Sequence, residues 1–293
     1  MNFELLLQLI TNGLIVGLLY GVVGMCFVLV YKSTQIVNFA QGEFLLVGAW
    51  VCWAFLTYFQ LPFFLGFILT LCFMAVFGVL LQMIVLRPMI GEPIISVIMV
   101  TIGLSILFQS LTKWIFGVSP QSYPKVFDTQ SVAIFGLNIE FAYLMSTVIA
   151  LIIMVSFFLF FKYSKHGLAM RATAFDQQVA QSLGISVKQV FAMSWGIAAT
   201  VSATAGVVIG MVNGVSDSLS TIGIKVFPAV ILGGLDSIVG AIVIGVLENV
   251  AEFFDSQYLH IGNMYDIAPF YVLLVILWFK PYGLFGTRDI ERI

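Results

Sequence analysis

The sequence predicts an all-α fold: a polytopic membrane protein with about eight spanning helices and one broken, re-entrant half-helix. Two observations predict it. The 293 residues are 61% hydrophobic and 9% charged, with a mean hydropathy of +1.11, whereas a soluble domain is about one-quarter charged. Apolar runs near the ~20 residues that cross a ~30 Å hydrocarbon core also recur along the chain. We therefore expect one transmembrane domain over 1–293.

The composition and the missing motifs argue against several functional classes. The net charge is −2, and no basic tail or aromatic–basic patch suggests nucleic-acid binding. No G-x-x-x-x-G-K-S/T loop occurs, so nucleotide phosphates are not bound by that means. The two histidines form no HExxH motif, and no cluster of titratable groups suggests an enzyme or a metal site. Cys26, Cys52 and Cys72 lie in apolar runs, and we expect small buried hydrophobes there.

Basic residues set the expected orientation of the spans. The candidate spans are 12–31, 39–59, 62–86, 93–112, 141–162, 190–212, a broken pair 222–254, and 267–279. If these alternate across the membrane, one side receives Lys32, Arg87, Lys162, Lys165, Arg171, Lys188, Lys280, Arg288 and Arg292. The other side receives only Lys113, Lys125 and Lys225. By the positive-inside rule, the N-terminus lies outside and the C-terminus lies in the cytoplasm.

The first span carries small residues at regular spacing. Gly13, Gly17 and Gly21 are four residues apart, and Gly24 lies on the adjoining face. Such spacing lets another helix approach closely in lipid. The face can serve assembly with another chain or ordinary packing within this one. The stretch before it, MNFELLLQL, has no basic n-region and no A-x-A site, so we expect it to be retained.

The second span is preceded by Asn38-Phe39-Ala40-Gln41-Gly42-Glu43. Asn38 can cap a helix and Gln41 can reciprocate, so we expect the helix to begin at Asn38 and to carry Glu43 in its second turn. One interpretation of Glu43 is an acid that the helix dipole favours. The other places it partly inside the membrane, where ionisable groups mark a pathway.

The fourth span carries a polar stripe. Thr101, Ser105, Gln109 and Thr112 follow one another at intervals of four, four and three residues, so they share one helix face. An uncharged polar stripe is suited to the path of a polar solute. Hydroxyls that bond to their own backbone would give the same pattern.

The segment 113–140 is expected outside, and its main part, Gly117 to Glu140, is rich in Ser, Pro, Tyr and Asp. It is too short for a domain, so we interpret it as a lid or a landing surface. Later in the chain, Ser186 and Gln189 form a possible capping box for the next span. The small residues of 198–206 in that span predict tight helix packing.

The loop 163–189, here called the docking loop, is the longest interval that cannot lie in hydrocarbon, and we place it in the cytoplasm. Asp176 is a good N-cap for a short helix over Gln177–Leu183, and Gly184 is a good stop because it enters the left-handed conformation easily. The apolar residues at helical spacing are Leu168, Ala172, Phe175, Val179 and Leu183. A capped amphipathic helix in water is typical of a docking element.

The most irregular part of the chain is 222–254. Ile222–Leu232 contains Pro228 and, at ~16 Å, is too short to cross the membrane. Gly233, Gly234 and Asp236 interrupt it, and Ile238–Phe254 continues with Glu248 and Glu252 on one face. We predict a half-span that enters from outside, a break, and a helix that returns. Such breaks are tolerated at membrane depth where they line a cavity or are packed in protein.

Together these stretches resemble a known family. The matching stretches are YKSTQIVNFAQGEF, RATAFDQQVAQSLGIS, AATVSATAGVVIG, VFPAVILGGLDSIVGAIVIGVLENV and PYGLFG. In this combination and order, the chain resembles the permease subunits of branched-chain amino acid ABC importers, a group that includes amide and urea permeases. The resemblance extends from the first helix to the C-terminus. Two positions depart from the family pattern. Many members have His at the position of Gln41, and an acidic residue is common at the position of Phe175.

The resemblance implies a bacterial inner-membrane transporter rather than an enzyme. It implies a second, related permease, two ATP-binding subunits that hold ATP and Mg, and an external solute-binding protein. This chain would bind no cofactor. The coupling helix that contacts an ATP-binding subunit would comprise Ala174, Phe175, Asp176, Val179, Ala180, Leu183 and Gly184.

The solute and the transport class follow less directly from the residues. We expect the pathway along Asn38, Gln41, Glu43, Thr101, Ser105, Gln109, Gly233, Gly234, Asp236 and Glu248. Its few charges suit a small polar or zwitterionic solute, with branched-chain or other amino acids as the main interpretation and urea or short amides as the alternative. An ion-coupled secondary transporter would need a buried acid or ion site at mid-membrane, for which Asp236 and Glu248 are the candidates.

Overall fold

The computed structural model describes residues 3–34, 36–124, 131–134, 137–233, 247, 250–251 and 264–280. Its elements, in chain order, are α1 (Phe3–Thr34), α2 (Gln41–Thr57), α3 (Phe63–Leu81), α4 (Ile94–Phe116), β1 (Ser131–Ile134), β2 (Leu137–Glu140), α5 (Phe141–Tyr163), α6 (Lys165–Phe175), α7 (Gln177–Ser182), α8 (Val187–Asn213), α9 (Ser218–Gly233) and α10 (Met264–Phe279). A π-helical turn, Gln82–Leu86, and a 3-10 turn, Arg87–Met89, continue α3.

The all-α polytopic class is confirmed. In the described part of the chain, five helices are long and apolar enough to cross a membrane: Ile10–Thr34, Phe63–Met89, Ile94–Phe116, Tyr143–Tyr163 and Val187–Asn213. Three shorter apolar helices are Gln41–Thr57, Ser218–Ile231 and Phe270–Phe279. The total of about eight spans stays a prediction, because the expected break and returning helix fall largely outside the described residues.

Contacts divide the chain into two compact units. The larger comprises Cys26–Phe127 and Ile149–Gly223, and the smaller comprises Met1–Met25, Asp128–Val148 and Ile224–Ile293. In the smaller unit, β1 and β2 pair antiparallel with Ser131 opposite Glu140. That hairpin lies in the expected external segment, for which the sequence predicted no strands.

In the larger unit, α8 packs against α2 and α3 through small residues. A Cβ on Gly206 would lie 2.2 Å from the carbonyl oxygen of Leu45, and one on Gly48 would lie 2.3 Å from the Cβ of Ala203. The backbones of α2 and α8 therefore touch, as the small residues of 198–206 predict. The buried ring of Trp195 lies edge-on to Phe44 beside these contacts.

Small residues in α1 pack within the chain at one position. In the smaller unit, a Cβ on Gly24 would lie 3.2 Å from a methyl group of Val230 and 3.6 Å from one of Val226. Gly24 therefore gives α9 close access to α1. At Gly24, therefore, the small residue serves helix packing within this chain.

Three sequence predictions of local detail were wrong. Helix α2 begins at Gln41, not Asn38, so Glu43 lies in its first turn rather than its second. Ser186 does precede α8, but its side chain makes no capping hydrogen bond, so the capping box with Gln189 is absent. Cys72 is exposed, whereas Cys26 and Cys52 are buried as expected. Cys72 lies in α3, whose outer face consists mainly of exposed apolar side chains.

The segment after α4 is fixed to the larger unit. Gln121 and Val215 form a backbone bridge, and the indole N–H of Trp53 donates to the carbonyl of Ser122 at 3.3 Å. The hydroxyl of Tyr123 donates to the carbonyl of Ala49 at 2.8 Å. Burial raises the pKa of Tyr123 above its ordinary value. The first residues of the segment therefore rest on α2.

Candidate functional site

The residues just before α2 form a buried polar cluster. The amide of Asn38 donates to the side-chain oxygen of Gln41 at 3.0 Å, and its own oxygen accepts from the backbone N–H of Ala40 at 3.0 Å. The amide of Gln41 in turn donates to the hydroxyl of Ser202 in α8. Asn38 thus stabilises a turn ahead of the helix instead of capping it. Its oxygen is occupied by Ala40, which explains why α2 begins three residues later than predicted.

Glu43 connects α2 to the polar stripe of α4. It is only 3% exposed, and one carboxylate oxygen accepts a hydrogen bond from the hydroxyl of Ser105 at 2.9 Å. The other oxygen, Oε2, is buried and has no hydrogen-bond partner among the described residues. An ionisable group is therefore held inside the helix packing, and the pathway role of Glu43 stays a prediction.

Further along the same face of α4, two more residues make contacts with the chain around the start of α9. The amide of Gln109 donates to the hydroxyl of Ser220 at 3.3 Å, and Lys113 forms an ion pair with Asp217 at 3.1 Å. Ser105, Gln109 and Lys113 are each four residues apart, so they lie on one stripe. We call these three residues and their partners, Glu43, Ser220 and Asp217, the polar ladder.

The other two hydroxyls of the predicted stripe bond to their own helix. Thr101 donates to the carbonyl of Ile98 at 2.8 Å, and Thr112 donates to the carbonyl of Gln109 at 2.9 Å. Thr101 also accepts a long hydrogen bond, 3.4 Å, from the backbone N–H of Phe39. The backbone interpretation of the stripe therefore holds for the two threonines, while Ser105 and Gln109 bond to other elements and their place on a solute path stays a prediction.

A direct backbone contact holds α2 beside the start of α9. A Cβ on Gly42 would lie 2.1 Å from the carbonyl oxygen of Ser220, and one on Gly223 would lie 2.5 Å from the Cα of Gly42. Neither position has room for a side chain. Ser220, which bonds Gln109, is thus placed next to the turn that carries Glu43.

Sequence reasoning missed four members of these networks. Lys113 continues the four-residue spacing of Ser105 and Gln109, and this was the signal that could have found it. The predicted span ended one residue earlier, at 112. Ser202, Asp217 and Ser220 come from distant parts of the chain, and no local pattern distinguishes them. Among the other predicted pathway residues, Gly233 ends α9, while Gly234, Asp236 and Glu248 lie outside the described residues.

The docking loop forms two capped helices rather than one. The hydroxyl of Ser164 accepts from the N–H of Gly167 and caps α6. The carboxylate of Asp176 accepts from the N–H groups of Gln178 and Val179 at 2.8 and 2.9 Å and caps α7. Gly184 follows α7 with a φ of +84°. The predicted cap and stop are therefore where the sequence analysis placed them, and α6 is an additional helix.

The apolar side chains of this loop divide between surface and interior. Phe175 is 95% exposed, and Val179 and Leu183 are also exposed. Ala174 is half-buried, and Ala180 is only 1% exposed, which corrects its placement on the docking face. Ala180 lies on the side of α7 that packs towards the protein. An open hollow of about 470 Å³ is lined by residues 173–178, Phe175 among them.

Arg171 attaches α6 to the end of α5. Its guanidinium donates to the backbone carbonyl oxygens of Phe161 and, at 3.2 Å, of Lys162. It also lies over the ring of Phe161, 5.6 Å from the centroid. These carbonyls belong to the last turn of α5, where a cation is favourable. The docking loop is therefore fixed to the C-terminal end of a long apolar helix.

Comparison with known proteins gives concordant matches. The family model described as branched-chain amino acid transport system / permease component matches residues 9–277. The high-affinity branched-chain amino acid transport system permease protein LivH of Salmonella typhimurium is 29% identical, over 100% of this chain and 99% of that protein. The corresponding BraD of Pseudomonas aeruginosa is 28% identical, over 98% of each.

A solved structure has the same fold. PsaBC from Streptococcus pneumoniae, in complex with Fab, superposes with a TM-score of 0.51 at 18% identity, over 95% of this chain and 92% of that one. At this identity the likeness concerns the fold alone.

Within the described residues, no group of three or more His, Cys, Asp and Glu side chains could hold a metal ion.

Proposed function

The chain belongs to the family of branched-chain amino acid transport system permease components, and from this premise we propose that it forms the membrane pathway for branched-chain amino acids. It is a permease subunit of an ABC importer. The observation that carries the proposal is α7, a capped helix that presents Val179 to solvent between the exposed side chains of Phe175 and Leu183, which flank it. A transporter driven by its own ion gradient would have no need of such a docking element.

The assembly we propose contains a second homologous permease, two ATP-binding subunits and an external solute-binding protein. ATP and Mg are held by the ATP-binding subunits, which carry out the hydrolysis, and this chain binds no cofactor. We place the complex in the bacterial inner membrane with the N-terminus outside and the C-terminus in the cytoplasm. The excess of Lys and Arg on one side of the spans supports that orientation.

The proposed mechanism couples ATPase closure to the pathway through the docking loop. An ATP-binding subunit can shift the pathway only if it interacts differently with its two states. Phe175, Val179 and Leu183 supply the apolar contact, as in other helix-in-groove interfaces. The caps at Asp176 and Gly184 keep α7 formed, and Arg171 links α6 to α5.

The polar ladder and the Asn38–Gln41–Ser202 cluster support a pathway for a small polar solute. They place amides, hydroxyls and one acid inside packing that is otherwise apolar. A zwitterionic amino acid agrees with this lining and with the names of the relatives. Urea or a short amide is the alternative, because it would use the same hydroxyls and amides without needing a charge.

Reconstitution tests the proposal. The complex of this permease with its ATP-binding subunits is placed in proteoliposomes with ATP inside and the solute-binding protein outside. We expect leucine uptake that requires both ATP and the binding protein. Uptake by this chain alone, driven by an ion gradient without ATP, would contradict the proposal and favour a secondary transporter.

A further inference from the structure

One carboxylate oxygen of Glu43, Oε2, has no hydrogen-bond partner among the described residues. The residue is 3% exposed, and Ser105 satisfies only Oε1, at 2.9 Å. Oε2 is buried and accepts no hydrogen bond from any residue in the described part of the chain. A buried polar atom without a partner is costly, so its retention calls for an explanation.

The usual local explanation does not apply. Glu43 is the third residue of α2, where an acid commonly reaches back to the N–H of the residue that precedes the helix. Here that residue is Ala40, and its N–H already donates to Asn38 at 3.0 Å. The carboxylate turns instead towards α4 and Ser105. Its position therefore does not serve to cap its own helix.

The charge around Glu43 is unbalanced. The polar ladder contains three charged side chains, those of Glu43, Asp217 and Lys113. Lys113 is already paired with Asp217 at 3.1 Å. With Glu43 ionised, two carboxylates face one ammonium, which leaves one negative charge in excess. A cationic group beside Oε2 would balance it.

We propose that Oε2 of Glu43 receives the ammonium group of the transported amino acid. This proposal rests on the proposed function and specifies which part of the solute the site recognises. An ammonium has three donors and would form a charge-assisted hydrogen bond with the free oxygen. Ser105, Gln109 and Lys113 lead from this site along ~12 Å of α4 to the partly exposed ion pair.

The test uses the complete complex in proteoliposomes, with the variants Glu43→Gln and Glu43→Asp. Glutamine keeps the acceptor for Ser105 but removes the charge. We expect leucine uptake to fall about tenfold or more for Glu43→Gln, with partial recovery for Glu43→Asp. The yield of assembled complex, measured beside uptake, separates loss of transport from loss of assembly. Glu92→Gln makes the same exchange at an exposed loop position and should transport like the wild type.

If the Glu43→Gln variant does not assemble, a second measurement on the wild-type complex still tests the inference. Labelling of Glu43 by a hydrophobic carbodiimide is followed by mass spectrometry. We expect saturating leucine to slow the labelling, and 2-hydroxyisocaproate, which has the same carbon skeleton without the ammonium, to leave it unchanged.

Two results would overturn the inference: wild-type uptake by Glu43→Gln, or equal effects of the two solutes on labelling. Glu43 would then be a structural hydrogen-bond acceptor only. If the wild-type complex transports short amides but no amino acid, the proposed function itself is wrong. The two failures are therefore distinguishable.

Discussion

The side-chain amide of Gln41 in α2 donates a hydrogen bond to the hydroxyl of Ser202 in α8, and both residues are fully buried. Gln41 also accepts from Asn38, so it connects the turn before α2 to a helix 161 positions away in sequence. In the same pair of helices, Gly48 lies against Ala203 and Gly206 lies against the backbone of Leu45.

Replacing Gln41 by Leu should destabilise the protein by about 1–3 kcal/mol, because the buried amide donor of Asn38 and the buried acceptor oxygen of Ser202 each lose their partner. Thermal unfolding of the purified protein in detergent measures the effect. Gln189→Leu is the matched control, since Gln189 is exposed at the start of α8. Equal melting temperatures for the two variants would contradict the role of the buried cluster.

Replacing Gly206 by Ala should also destabilise, by about 1–3 kcal/mol, since its Cβ would meet the Leu45 carbonyl and force α2 and α8 apart. Gly103→Ala provides the contrast within a helix, because nothing lies within 4 Å of a Cβ there. We expect that variant to keep the wild-type stability or slightly exceed it. Denaturation of both variants under one detergent condition measures the difference.

Replacing Phe175 by Ala should weaken binding to the ATP-binding subunits without destabilising this chain. The ring is almost fully exposed, so the stability should change by less than about 0.5 kcal/mol. As the most exposed aromatic side chain of the docking face, it should contribute about 2 kcal/mol to binding. Binding of purified ATP-binding subunits to the permease measures the loss. Phe64→Ala, another exposed aromatic outside the docking loop, should bind normally.

Replacing Asp176 by Ala should destabilise α7 by about 1 kcal/mol, because two backbone N–H groups lose their acceptor. Asp176→Asn should retain most of the stability, since asparagine is also a good N-cap. Hydrogen exchange at Gln178 and Val179 reports on the cap directly, and substrate-stimulated ATP hydrolysis reports on its effect. Identical exchange in the alanine and asparagine variants would contradict this role.

Local features were predicted well from sequence, and the reason is physical. The cap at Asp176 and the stop at Gly184 depend on a few neighbouring residues and on backbone geometry, so the local pattern contains the needed information. The start of α2 was predicted wrongly because Asn38 has a competing partner in Ala40. Helical spacing likewise did not identify Ala180 as buried, because the protein covers its side of α7.

The contacts between elements were less predictable. The stripe on α4 could be seen in the sequence, but its partners could not, because Ser220 and Asp217 are about a hundred residues away. The unpartnered oxygen of Glu43 depends on the packing of several helices at once. Residues that meet only after folding leave no periodic signal along the chain.

The attachment of Arg171 to the last carbonyls of α5 has a mechanical consequence. The guanidinium holds the end of α5, and Phe175 lies four residues further on in the same helix α6. In the proposed assembly, a displacement of that ring would therefore move α5 together with α6. The side chain that contacts the ATP-binding subunit and the side chain that transmits the displacement would then be different residues. Contact specificity can therefore vary at position 175 while the transmission through position 171 is preserved.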